Sequence, residues 1–117
     1  MEFIDGFDKK LRMKYIYNIT YHIEDEVFSQ WQEWVQQHML RSLRESHFSG
    51  LKLLQIHIQE VGSKAFSLQY EARDKEAITY FQSILEEHYR KELFLQFGEK
   101  VLTFATLLEV TEELKRD

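Results

Sequence analysis

The sequence predicts an α+β domain in the order β-α-β-β-α-β, with a four-stranded antiparallel sheet (order 4-1-3-2) and two helices on one face. Three observations carry this. Tyr15 to Glu24 alternates apolar and polar residues with the period of a strand. Val27 to Leu43 repeats apolar residues at three and four, the period of a helix. Leu51 to Glu60 and Ala65 to Ala72 are two β-rich runs joined at Gly62-Ser63-Lys64, a hairpin signal.

The elements follow in order. Residues 1–14 show no period and read as a partly disordered extension, with Met13-Lys14 an alternative start directly before the first strand. Residues 15–117 form the domain. In the first strand Tyr15, Tyr17, Ile19, Tyr21 and Ile23 share one face, and Asn18, Thr20 and His22 point the other way. Asp25 is expected to cap the first helix, whose stripe is Val27, Phe28, Trp31, Trp34, Val35, His38, Met39, Ser42 and Leu43, ending near Ser46. In the hairpin, Leu54, Ile56 and Ile58 match Phe66, Leu68 and Tyr70 as the apolar face. Gln55, His57 and Gln59 match Ser67, Gln69 and Glu71 as the polar one, which puts His57 opposite Ser67 or Gln69. Asp74 caps a second helix with the stripe Ala77, Ile78, Phe81, Ile84, Leu85 and His88 or Tyr89. A less regular segment with Leu93, Phe94 and Phe97 stops at Gly98. Val101 to Val110 is the last strand, with Phe104, Thr106, Leu108 and Val110 assigned to the core, and Thr111 to Asp117 is a charged, frayed tail.

Right-handed crossovers turn this order into two interleaved β-α-β units, a ferredoxin-like sandwich. Trp31, Val35, Ile56, Leu68, Phe81 and Leu85 are expected at its centre. The opposite sheet face is left without a helix. Asn18, His22, His57, Gln69 and Glu71 converge there, flanked by Ile16, Leu51, Leu53, Leu107 and Val101.

Composition narrows the function. The chain has 117 residues, 44% hydrophobic and 15% aromatic, enough for one globular core. With no cysteine, disulfides, thiolate zinc sites and a cysteine nucleophile are excluded. Fifteen basic against twenty acidic residues give a net charge of −5, and no Lys/Arg block forms a phosphate-binding stripe. Nucleic acid and anionic membrane are therefore not expected partners. No apolar run approaches the roughly 18–20 residues of a membrane span. The N-terminus alternates apolar and charged residues, unlike a signal peptide, so a cytoplasmic protein is expected and Asn18-Ile19-Thr20 reads as strand rather than sequon.

Several stretches together carry a resemblance. They are Tyr15-Ile16-Tyr17-Asn18-Ile19-Thr20, the helix with Trp31, Trp34 and His38, then His88, Phe97-Gly98, Phe104, Thr106 and Leu108-Glu109-Val110. From Tyr15 to Val110 the chain resembles an uncharacterised bacterial family, domain of unknown function 4286. The resemblance implies a ferredoxin-like fold related to the dimeric α/β-barrel proteins, and no assigned activity. Two positions depart from the family pattern: Ala105 where an arginine is frequent, and Leu40 where a proline is. The first departure counts against anion binding.

No nucleophile motif, phosphate loop or His-Glu-x-x-His is present. His22 and His57 share a face, but the third strand separates their backbones by roughly 9–10 Å, too far for joint metal ligation. No metal and no cofactor are expected. Glu71 and Glu109 read as polar residues of an uncovered face, His38 and His88 as packed helix histidines, and the tryptophans as core anchors. The favoured reading is a non-catalytic homodimer pairing through the open sheet, with Asn18, His22, His57, Gln69 and Glu71 as candidate ligands for a small polar molecule. The alternative is a small cofactor-free oxygenase or isomerase of the dimeric α/β-barrel type, marked by a pKa-perturbed histidine or carboxylate in that pocket. RNA binding is disfavoured, because Phe66, Leu68 and Tyr70 are needed against the helices rather than on the open face.

Overall fold

A computed structural model describes residues 15–116. The expected extension over residues 1–14 lies outside them. The elements are β1 (Tyr15–Glu24), a 3-10 turn (Asp25–Val27), α1 (Phe28–Glu45), β2 (Gly50–Ile56), β3 (Ser63–Ala72), α2 (Lys75–Tyr80), a π turn (Phe81–Leu85), α3 (Glu86–Phe97), a second 3-10 turn (Gly98–Lys100) and β4 (Val101–Glu109). The sheet runs β2-β3-β1-β4 with every pairing antiparallel, the expected order read from the other edge. The fold is the ferredoxin-like α+β sandwich.

The core lies between α1, the α2–α3 helix and the inner face of β1 and β3. Tyr17, Tyr21, Ile23, Leu68 and Tyr70 meet Trp31, Val35, Phe81, Tyr89 and Leu93, all buried. Trp31, Val35, Leu68 and Phe81 are as deep as the sequence predicts. Ile56 and Leu85 are only half-buried.

The helix ends obey local chemistry unevenly. Asp74 caps α2 as expected, accepting a hydrogen bond from the Ala77 amide at 3.1 Å. Asp74→Ala should cost about 0.5–2 kcal/mol in a urea melt, the usual value of a lost cap. Asp25 does not cap α1. It opens the 3-10 turn, and its carboxylate pairs instead with Lys64 Nζ on β3 at 3.0 Å.

The second helical segment runs past the expected break. Phe81, Leu85, Tyr89, Leu93 and Phe97 recur every four residues, a spacing that drifts around an ideal helix of 3.6 residues per turn. The π turn takes up part of that drift. It keeps Phe81 and Tyr89 buried, turns His88 outward and leaves Ile84 60% exposed.

Two strands sit in the opposite phase from the one expected. Leu53 pairs with Leu68 and Leu51 with Tyr70, so Leu51 and Leu53 face the helices while Leu54 and Ile56 face out. The run Leu51-Lys52-Leu53-Leu54-Gln55-Ile56 contains both alternations, and adjacent Leu53 and Leu54 leave its phase undecided locally. In β4, Phe104 pairs with Thr20 and Thr103 with Tyr21. Leu102, Phe104, Thr106 and Leu108 therefore lie on the open face, while Val101, Thr103, Ala105 and Leu107 lie on the helix side.

Candidate functional site

The helix-free face reads as four rungs across β2, β3, β1 and β4: Gly50–Glu71–Ile16–Leu108, Lys52–Gln69–Asn18–Thr106, Leu54–Ser67–Thr20–Phe104 and Ile56–Ala65–His22–Leu102. The hydrogen-bonded polar centre lies on the two middle strands. There the Ser67 hydroxyl donates to Asn18 Oδ1, Asn18 Nδ2 donates to Thr20 Oγ1 at 3.1 Å, and Gln69 Nε2 donates to Ser67 Oγ at 3.4 Å. The apolar flanks come from the outer strands. Phe104 is 61% exposed, Leu102 52%, Leu108 42% and Leu54 40%. These residues replace Leu51, Leu53, Val101 and Leu107, which the two phase reversals carry to the other side.

The five candidate ligands are not one cluster. Asn18 and Gln69 are direct cross-strand partners. Glu71 lies one rung beyond them, held by Lys52 Nζ at 3.2 Å. His22 lies toward the opposite end of the face, with Phe104 set edge-on to its ring at 6.1 Å. His57 follows the end of β2, is exposed, and has no ladder partner opposite Ser67 or Gln69. The extended alternation through Ile58 suggests a longer strand, but the ladder stops at Ile56. Among the described residues, no group of three His, Cys, Asp or Glu is placed to hold a metal.

A second site lies behind the sheet, where the residues were expected to serve packing alone. A cavity of about 180 Å³, partly open to solvent beside Ala105 and Arg90, lies between β1, the inner face of β4, α1 and α3. It exists because β4 presents small Thr103 and Ala105 inward and sends Phe104 out. Its walls are mostly aromatic: Tyr21, Trp34, Tyr70, Phe81 and Tyr89. Its polar groups are His38, Glu86, Arg90 and Thr103.

His38 is the unusual member. It is 1% exposed, stacked on Trp34 at 4.7 Å and met edge-on by Tyr89 at 4.5 Å. Its Nε2 shares a hydrogen bond with the Tyr70 hydroxyl at 2.5 Å and lies 3.4 Å from Ser42 Oγ. Nδ1 has no hydrogen-bond partner among the described residues. Burial first, then the nearby Arg41 guanidinium, pushes its pKa down to about 3, so the ring is neutral at pH 7. Burial likewise holds the Tyr70 phenol well above its usual value. The perturbed histidine that would mark a reactive pocket is thus present, but behind the sheet. A buried histidine on an apolar helix stripe was its one sequence signal, and many structural histidines give the same signal.

The surrounding wall is locked. Glu92 of α3 forms a bidentate ion pair with Arg41 of α1 and accepts from Trp34 Nε1 at 3.1 Å. The Tyr89 hydroxyl donates to Glu45 at 2.6 Å, and Arg41 lies over the Tyr89 ring at 5.3 Å. At the cavity's edge the Tyr17 hydroxyl donates to Glu86 at 2.6 Å. Burial, then that bond, moves the phenol up to about 12. No helix among the described residues is long and apolar enough to cross a membrane.

No curated protein matches the sequence. Among solved structures, a dimeric ferredoxin-like protein from an uncultured marine organism superposes with a TM-score of 0.69 at 14% identity, over 87% of this chain and 99% of that one. At that identity the likeness concerns the fold. A family model described as a domain of unknown function (DUF4286) matches residues 14–111, and the chain belongs to that family.

Proposed function

We propose that this chain is a non-catalytic homodimeric module whose two copies pack through their open sheet faces. The observation that carries the reading is the pair of apolar flanks, Leu54 and Ile56 on one edge strand and Leu102, Phe104 and Leu108 on the other. A patch of large exposed apolar residues on a monomer marks an interaction surface. A second copy is the favoured occupant for two reasons. The four rungs carry only one cation and one carboxylate, Lys52 and Glu71, and these pair with each other, while Glu24 lies one rung beyond His22 at the end of the face, so little unpaired charge has to be covered at its centre. The polar middle also satisfies itself through Gln69, Ser67, Asn18 and Thr20, which lowers the cost of removing water from it. The solved neighbour is itself described as dimeric.

On this reading Asn18 and Gln69 form the polar seam of the interface, Glu71 and His22 flank it, and His57 lies outside it. The seam is then the place for any small polar ligand held between copies.

Light scattering at tens of micromolar tests this. The wild-type chain of 14.3 kDa is expected to give twice that mass, through an interface of the usual total of about 1,200–2,000 Å². Phe104→Glu, at an exposed position, is expected to give the single-chain mass with an unchanged far-UV spectrum. A monomeric wild type, or a variant that dimerises equally well, refutes the proposal.

A further inference from the structure

The cavity behind β4 supports a second role, independent of dimerisation. We propose that it binds one small, planar, uncharged aromatic or heteroaromatic molecule of one or two rings, seated among Tyr21, Trp34, Tyr70, Phe81 and Tyr89 and hydrogen-bonded to His38.

Size sets the first limit. An apolar cavity of about 150 Å³ accepts benzene, so about 180 Å³ accepts a single ring or a compact bicyclic one. The aromatic walls favour a flat ligand, which can stack or meet them edge-on. The cavity does not close by collapse, because the Glu92 clamp and the Tyr89–Glu45 bond hold α1 against α3 and the two β4 residues that line it, Thr103 and Ala105, are small.

His38 sets the polarity. A neutral imidazole has one donor and one acceptor nitrogen. Nε2 is engaged with Tyr70, and Nδ1 is buried without a partner among the described residues. An unpaired buried polar group is costly. On this proposal a ring N–H or ring nitrogen of the ligand reaches Nδ1 and supplies what is missing. Net charge is disfavoured because Glu86 and Arg90, the two charged lining residues, oppose each other, and because a site that suppresses protonation of its own histidine also penalises a buried ligand charge. The π turn begins at Phe81 and ends directly before Glu86, both on this wall, and such turns recur at functional sites.

The test is a 15N NMR titration of the full chain with indole, alongside indole-3-acetate and tryptamine as anionic and cationic analogues. Indole is expected to give saturable shifts at Leu93, Thr103 and Ala105, and each charged analogue to bind at least tenfold more weakly. Ala105→Phe, which fills the cavity from the exposed strand, is expected to weaken indole at least tenfold. Thr103→Leu is a second filler should the first variant fold poorly. Absence of saturable shifts up to the solubility of indole, shifts confined to the open sheet face, or full affinity in a folded filler variant overturns the site. Tighter binding of either charged analogue overturns the ligand class.

Discussion

Phe81→Ala is expected to lower stability by about 3–5 kcal/mol in urea melts, read at equal protein concentration because dimerisation makes the midpoint concentration-dependent. Phe81 is 1% exposed. Its ring meets Tyr70 at 4.9 Å, Phe48 at 5.3 Å, Tyr17 at 5.8 Å and Tyr89 at 6.1 Å, so it ties β1, β3, the segment before β2 and α3 together. The lost transfer energy is only part of the cost. Phe81 already lines a cavity, and its removal enlarges a space whose clamped walls cannot move in to fill it. A loss within about 0.5 kcal/mol would mean that the phase of the helix through the π turn is wrong.

Acidification from pH 7 to pH 5 is expected to remove about 2 kcal/mol of stability through His38 alone. Its folded pKa is about 3 against 6.5 for the free side chain. Between these values the unfolded chain binds the proton and the folded chain does not, so stability is complete above pH 6.5 and falls as pH drops toward 3. The slope is about 1.4 kcal/mol per pH unit, and one and a half units of the interval lie inside the window. Every group packed on the ring acts on this balance. Tyr70 is a phenol held neutral, and Tyr89 meets the ring by its edge. Arg41 lowers the pKa, and Glu92 raises it more weakly. Glu92 and Glu26, whose pKa values are lowered from 4.5 by Arg41 and Lys100, lose their contributions only below this interval. Urea melts of wild type and His38→Phe at the two pH values give the comparison. The variant should show a much flatter dependence whatever its absolute stability, and equal slopes would place the acid sensitivity elsewhere.

The sequence by itself determined the element order, the sheet order, the two helices on one face and the helix-facing sides of β1 and β3. Those strands alternate without a break, and a one-residue slip would expose Tyr17, Ile19, Tyr21, Leu68 and Tyr70 to water. It also placed Asn18 and Gln69 together, because both lie on unambiguous strands. Only the tertiary structure decided the phases of β2 and β4. Leu53-Leu54 and Leu107-Leu108 put apolar residues on both faces, and an edge strand with mixed faces takes its register from its neighbour. That register moved Phe104 and Leu54 onto the open face, making it the apolar surface proposed here for dimerisation, and left His57 beyond the end of its ladder. The same reversal put Thr103 and Ala105 on the helix side, where they line one cavity with His38. The cavity follows from where large side chains are missing, and a gap between β4 and two helices has no period along the chain by which it could be read.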